Sequence, residues 1–500
     1  MQGLQATAVT IEVNATRGVR FVLVGLPDNA VKESHERILA AIENSGFTFP
    51  TRQITINLSP ADIRKEGSGY DLPMAIGILA TEDKVNTSQL GKYMMVGELS
   101  LDGSLVPIRG ALPVAIKARE MGFEGLFVPE GNIREAAVVN KLKVYGVKHI
   151  TQVVNHLNGT ALLEPTVVDT RGEFYARQYE FDYDFADVKG QEHVKRAMEV
   201  AAAGGHNIIM IGPPGSGKSM LAKRMPSILP PLSLQESLET TQIHSVAGTL
   251  PAGCSLMAQR PYRSPHHTIS QVALVGGGTN PQPGEISLAH NGILFLDELP
   301  EFQRSVLEVL RQPLEDRVIN VSRAKYSVTF PCSFMFVASM NPCPCGYYNH
   351  PTKACCCTPG QIVRYLNKIS GPLLDRIDLQ IELSPVPFSD LSKMEPGEPS
   401  EKIRERVIRA RKIQEERFRD YALIHSNAQM TEKMLGQYCV LDSQTTEVLR
   451  EAMIRLNLSA RAYSRILKVA RTIADLEGAA SIEPQHLEEA ALYRVLDREN

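Results

Sequence analysis

No apolar stretch in the 500 residues approaches the ~18 that a membrane-spanning helix needs, so the chain lacks the signature of an integral membrane protein. It also lacks an excess of either charge. Lys and Arg number 53 against 56 Asp and Glu, a net charge of −3. That excludes a basic coat for indiscriminate nucleic-acid binding and leaves local basic patches open. Internal repeats and low-complexity tracts are missing. Met1 to Val13 show no basic segment leading into an apolar one, so no export signal is expected and the expected compartment is the cytoplasm. What is present is an ordinary globular mixture, 43% hydrophobic and 22% charged. At roughly 100–200 residues per domain, the length suggests about three domains.

Three segments differ in character. Residues 1–160 predict a mixed α and β domain. Strand patterns lie at Val9–Val13, Arg20–Val24 and Gln53–Leu58, and helical patterns at Asn29–Asn44 and Leu72–Ala80. Residues 161–183 have weak periodicity and are expected to form a linker. Residues 184–385 alternate strand-like and helix-like stretches with glycine-rich turns, the pattern of an α/β core with a parallel sheet. Residues 386–500 predict a helical domain. Ser400 is the expected cap of its first helix, with Ile403, Val407 and Ala410 buried. A later helix buries Ala462, Ile466, Val469 and Ile473, and the last, from near Pro484, buries Leu487, Ala491 and Val495.

The clearest chemical signal follows the apolar strand Asn207–Ile211. Gly212-Pro213-Pro214-Gly215-Ser216-Gly217-Lys218-Ser219 is a G-x-x-x-x-G-K-S phosphate loop between a strand and a helical segment. Glycines let successive backbone N–H groups turn toward a phosphate, and the helix N-terminus adds partial positive charge. Lys218 is expected on the β- and γ-phosphates of ATP and the Ser219 hydroxyl on Mg²⁺. Downstream, the apolar run Gly292–Leu296 ends in Asp297 and Glu298, expected to hold Mg²⁺ and to polarise the attacking water. A third strand, Ser333–Ser339, leads to Asn341, placed to sense the γ-phosphate. Arg376, in Gly371–Asp378, is a candidate arginine finger reaching a neighbouring subunit's nucleotide. Arg461, in the first turn of a helix that Ser459 is expected to cap, is a candidate to read the γ-phosphate from the helical domain, with Arg465 one turn on as its fallback.

These elements in this order resemble the AAA+ ATPases, and within them the YifB/ComM family of the magnesium-chelatase-like branch. The carrying strings are Tyr262–Thr268 (YRSPHHT), Pro283–Gly292 (PGEISLAHNG) and Met340–Gly346 (MNPCPCG), with Leu23–Pro27 and Ala61–Gly67 nearer the start. The resemblance spans nearly the whole chain. It implies an N-terminal α+β domain similar to the Lon protease fold (the ribosomal S5 domain 2-like fold), shortened at its start. It further implies an AAA+ core, a helical lid and a hexameric ring. The resemblance implies that ComM members migrate branched DNA, while the related chelatase motor subunits drive metal insertion into a porphyrin, so a DNA motor and a protein-remodelling or chelatase-type motor that does not touch DNA both stand.

A Lon-like peptidase needs a Ser–Lys pair. Ser68 stands near the expected serine, but Leu112 occupies the aligned lysine position and Lys117 lies further on, so proteolysis is not expected. Five of the eight cysteines fall between Cys343 and Cys357. Cys343, Cys345, Cys355 and Cys357 form two C-x-C halves that could supply a tetrahedral zinc site; free turn thiols or a redox pair are the alternatives. Residues 233–290 read as a long insertion facing a central pore, opened by a Ser233–Glu236 capping box, with His266 and His267 as ordinary polar contacts. Arg311–Lys325 reads as a basic hairpin in which Arg323 and Lys325 touch DNA phosphates, or as a merely solvated hairpin.

Overall fold

The computed structural model describes residues 3–251, 253–278, 281–323, 326–385, 396–421, 423–455, 458, 460–494 and 496. The side chains of Arg323 and Arg461, and Lys325, Ser459 and Val495 altogether, lie outside what is described. The chain folds into two compact units, Met1–Ala176 with Ser237–Met257, and Arg177–Glu236 with Ala258–Asn500. Among the described residues no helix is long and apolar enough to cross a membrane.

In the first unit, Gln53–Ser59 alternates residue by residue, which buries Ile54, Ile56 and Leu58 on one face. It pairs antiparallel with Thr10–Thr16 and parallel with Phe21–Val24. Helices Ser34–Asn44 and Asp71–Ala80 add Ile38, Ile42, Leu72 and Ile76 to the same core. The expected single helix over Asn29–Asn44 is broken at Glu33, between Asn29–Lys32 and Ser34–Asn44. A second sheet, Tyr93–Met95, Gly125–Pro129 and Lys143–Val147, is parallel throughout.

Two expectations about boundaries are corrected here. The stretch read as a linker carries a helix, Thr170–Arg177, with Phe174 buried. The insertion at 233–290 is not one piece: Ser237–Met257 belongs to the first unit and the rest to the second. Helix Leu234–Ala247 supplies Leu238 to the cluster around Leu112 and Leu126. The Gly110 N–H donates to the Ser245 carbonyl at 3.0 Å, and the Ser245 hydroxyl donates to Glu135. The Ser233–Glu236 capping box is present, with reciprocal bonds of 2.9 and 3.1 Å.

The second unit is organised by a five-stranded sheet in the order Tyr262–Arg263, Ile293–Leu296, Met335–Met340, Ile208–Ile211, Leu379–Glu382. Every pairing is parallel. Strands covered on both faces read as unbroken apolar runs, as IIMI and ILFL do. The edge strand Tyr262–Arg263 is only two residues long, too short for periodicity to reveal inside the insertion. Arg311–Lys325 is not one hairpin: Arg311–Asp316 is helical, and the hairpin runs from Val318–Arg323 to Tyr326–Pro331. Arg317, at φ 57°, ends the helix and starts the strand.

Helices Ser400–Arg417, Ala460–Glu477 and Pro484–Leu492 share one apolar cluster with the sheet, burying Ile403, Val407, Ala410, Ile466, Val469 and Leu487. Ser400 does not cap its helix. Pro399 takes the cap position, and the Ser400 hydroxyl instead accepts from the Phe185 N–H at 2.8 Å. A buried polar knot fixes the last helices to the sheet. His206 Nδ1 lies 3.1 Å from Asp378, its Nε2 lies 2.8 Å from the Thr472 hydroxyl, and Arg465 reaches Asp378 at 3.0 Å. Burial pushes the Asp378 carboxyl up, but Arg465 and His206 outweigh it and hold the group below the usual carboxylate range. Burial holds the His206 pKa below the ordinary imidazole value, against the pull of the Asp378 carboxylate.

The unfolded chain therefore takes up the His206 proton first as pH falls. Stability from this group is complete above the ordinary imidazole pKa of ~6.5 and is lost as pH drops below it. A falling melting temperature from pH 7.5 to 5.5, with a shallower slope in His206→Gln, is the expected result of thermal unfolding.

Candidate functional site

The strand Ile208–Ile211 sits between Met335–Met340 and Leu379–Glu382, so the loops leaving its C-terminal end converge with theirs. From Gly212 the chain wraps to the helix Lys218–Arg224. Gly215 and Gly217 lie at φ 80° and 89°, where a Cβ would be strained. A Cβ on Gly212 would stand 2.8 Å from the Leu383 carbonyl. Lys218 Nζ donates to the carbonyls of Gly212 at 2.6 Å and Pro213 at 2.9 Å, and lies 3.3 Å from Asn341 Oδ1. Burial lowers its pKa against the pull of Asp297 and Glu298.

The Ser219 hydroxyl donates to Asp297 Oδ2 at 2.6 Å. The other Asp297 oxygen accepts from the Ser339 hydroxyl and from the Glu298 N–H, the latter at 3.0 Å. Glu298 turns at φ 54°, a left-handed conformation uncommon outside glycine, and its side chain is half exposed. The geometry thus brings Lys218, Ser219, Asp297, Glu298 and Asn341 to one edge of the sheet. A hydroxyl beside a carboxylate is a hard-oxygen donor pair that fits Mg²⁺.

Four contributors were missed by sequence reasoning. Ser339 anchors Asp297; a polar residue closing an apolar strand was its only signal. Gln191 donates from Nε2 to the Ser216 carbonyl at 2.9 Å, bracing the phosphate loop. His267, read as an ordinary polar contact, stacks on His266 with ring centres 4.0 Å apart and brings Nδ1 to 3.7 Å from Glu298. Gly346, at φ 81°, lies so close to the phosphate loop that a Cβ would stand 2.6 Å from Pro214 Cδ.

Arg376 is not at this edge. The Asn207 side chain, just before the Ile208 strand, donates to the Arg376 carbonyl at 2.8 Å, so Arg376 lies at the N-terminal end of the sheet. Its guanidinium donates to Glu315 and to the Pro372 carbonyl, while Nε has no hydrogen-bond partner among the described residues. Arg376, Arg311, Arg465, Lys468, Glu315 and Glu432 line a cavity of about 310 Å³. Arg465, the fallback for Arg461, is held by Asp378.

In the first unit the Ser68 hydroxyl donates to Glu98. Leu112 is fully buried, and Lys117 pairs with Glu120 at 3.2 Å, so neither supplies a base to Ser68. The four C-x-C sulfurs of Cys343, Cys345, Cys355 and Cys357 lie within 4.8 Å of one another.

Three family models match consecutive stretches of the chain. Residues 11–132 match the model for subunit ChlI of Mg-chelatase, residues 184–391 that for magnesium chelatase, subunit ChlI, and residues 397–494 that for its C-terminal part. The chain is 44% identical over 500 residues to YifB of Salmonella typhimurium, covering 99% of this chain and 96% of the relative. Its identity to the competence protein ComM of Haemophilus influenzae is also 44%, over 505 residues, with the same coverage of both. A shorter likeness, 31% over 157 residues, links it to Lon protease 2 of Bacillus subtilis, covering 29% of this chain and 27% of that one.

Because a Cβ at Gly346 would press on Pro214, Gly346→Ala is expected to weaken nucleotide binding about tenfold, the equivalent of ~1–2 kcal/mol of left-handed strain; equilibrium titration with a fluorescent ATP analogue measures it. With the phosphate loop, the parallel sheet and three consecutive family matches in hand, the chain is placed in the YifB/ComM family of magnesium-chelatase-like proteins, to which it belongs over nearly its full length.

Proposed function

We propose that the protein is a Mg²⁺-dependent ATPase motor that works as a ring of identical subunits, a hexamer by family analogy, and acts on branched DNA. The observation that carries the ATPase is the meeting of Lys218, Ser219, Asp297, Glu298 and Asn341 at one sheet edge. Lys218 leaves the carbonyls of Gly212 and Pro213 for the β- and γ-phosphates, a short movement of an already buried ammonium. Backbone N–H groups of residues 212–219 and the helix N-terminus hold the phosphate chain. Ser219 and Asp297 would hold Mg²⁺, which supplies charge neutralisation between the phosphates. Glu298 orients and polarises the attacking water, and Asn341, in contact with Lys218, senses the terminal phosphate.

Arg376 lies at the opposite end of the sheet from its own phosphate loop, which supports a role on the nucleotide of a neighbouring copy. Its unpartnered Nε, beside a cavity lined by four cations and by the carboxylates Glu315, Asp375 and Glu432, is suited to a phosphate. Arg461 is proposed to read the γ-phosphate from the helical domain. The action on DNA is supported by the family and by the similarity to a competence protein, not by overall charge. A chelatase-type motor working on a protein partner is the competing outcome.

Mixing tests the neighbour's role. Arg376→Ala and Lys218→Ala chains, each inactive alone, should recover part of the ATPase rate together, because a mixed ring contains interfaces with both groups intact. No recovery would confine Arg376 to its own subunit. For the substrate, a four-way DNA junction should raise the ATPase rate severalfold at low salt, with the gain lost at high salt. A rate indifferent to single-stranded, duplex and junction DNA would transfer the proposal to a protein partner.

A further inference from the structure

The loop after Asn341 carries chemistry that ATP hydrolysis does not use. Cys343 Sγ lies 3.3 Å from Cys345 Sγ and 3.7 Å from Cys355 Sγ, and Cys345 and Cys355 are 3.5 Å apart. The Cys357 sulfur completes a group whose members all lie within 4.8 Å of one another. Four sulfurs at ~2.3 Å from a zinc ion stand ~3.8 Å apart along each edge of a tetrahedron, and the three spacings among Cys343, Cys345 and Cys355 lie within about 0.5 Å of that edge. No disulfide joins them. Backbone N–H groups already point at the sulfurs, Tyr348 to Cys343 at 3.3 Å and Cys357 to Cys355 at 3.4 Å. Such bonds stabilise thiolates around a metal. Cys356, between two of the four, is exposed and outside the group.

The cluster's position gives it a consequence for the nucleotide. Gly346 follows Cys345 directly and rests against Pro214 of the phosphate loop. Asn341, two residues before Cys343, touches Lys218. Beyond Cys357, Thr358 and Gln361 form a capping box that starts the helix Pro359–Leu366. The loop therefore has one end on Lys218, its middle on Pro214 and its far end locked to a helix.

We propose that Cys343, Cys345, Cys355 and Cys357 bind one structural zinc ion, and that this centre clamps the Asn341–Gly346 segment onto the phosphate loop. Binding releases the thiol protons and needs no oxidant or reductant. The zinc assignment stands on the sulfurs alone, whereas the clamp rests on the nucleotide-site reading above.

Full-length protein purified without chelator is expected to hold about one zinc ion per chain by elemental analysis. Replacement by Co²⁺ should give thiolate-to-metal charge-transfer bands and the strong visible bands of a tetrahedral site. Cys345→Ser and Cys357→Ser should lose the metal, and Cys356→Ser should keep it. Zinc-stripped wild-type protein, returned to Mg²⁺ buffer, should bind a fluorescent ATP analogue about tenfold more weakly, with recovery on adding zinc. Lys218→Ala should keep its zinc and lose the nucleotide, which separates the two claims. Zinc below a tenth of an equivalent, or iron with a brown chromophore, would overturn the centre. Unchanged nucleotide affinity in the stripped protein would overturn the clamp. Zinc-loaded protein that binds no nucleotide would instead count against the ATPase reading.

Discussion

The Asp297 carboxylate is the point on which the site depends. One oxygen takes the hydroxyl of Ser219 from the phosphate-loop helix. The other takes the Ser339 hydroxyl from the neighbouring strand and the N–H of Glu298. Two chain segments far from Asp297 in sequence, the phosphate-loop helix and the neighbouring strand, are thereby held to one carboxylate. The strand Ile293–Leu296 can deliver Asp297 there only because it pairs in parallel register with Met335–Met340, which in turn pairs with Ile208–Ile211. Removing the Asp297 carboxylate group, as in Asp297→Ala, would leave two hydroxyls and an N–H without their shared acceptor.

The two ends of the sheet divide the chemistry. The C-terminal end carries the phosphate loop and Glu298, proposed above to position the water. The N-terminal end carries Arg376, the cavity with Arg465 and Lys468, and the buried knot of His206, Asp378 and Thr472. Burial brings the Lys468 ammonium down to about 8, so this end is electrostatically tuned as well as packed. A single copy cannot bring Arg376 to its own phosphate loop, since the length of the sheet separates them. This separation is the physical basis for proposing a ring.

Much of this was legible in the sequence because the signals were local. The phosphate loop needs glycines at φ values that other residues avoid, and Gly215 and Gly217 take those values. Buried parallel strands must be apolar runs, and IIMI and ILFL are. Non-local features were not legible. A two-residue strand such as Tyr262–Arg263 has no period to detect, and the attachment of residues 237–257 to the first unit depends on partners such as Gly110 and Glu135 over a hundred positions away in sequence. Ser400 has the chemistry of a cap, yet a tertiary partner, the Phe185 N–H, claims its hydroxyl. His267 gave no sign of facing Glu298, because only the folded sheet brings the insertion across the end of the Ile293–Leu296 strand.

The central claim is that this sheet edge hydrolyses ATP with Glu298 polarising the water. Its most direct test is a paired measurement of ATP binding and single-turnover hydrolysis in the wild-type protein and Glu298→Gln. The account predicts Mg²⁺-dependent hydrolysis in the wild type. It predicts near-equal ATP affinity in the variant, with the chemical step slowed ~10²–10⁴-fold, the usual loss when a positioned base is removed. A variant that turns over ATP at the wild-type rate, or a wild-type protein that does not bind ATP, would contradict it.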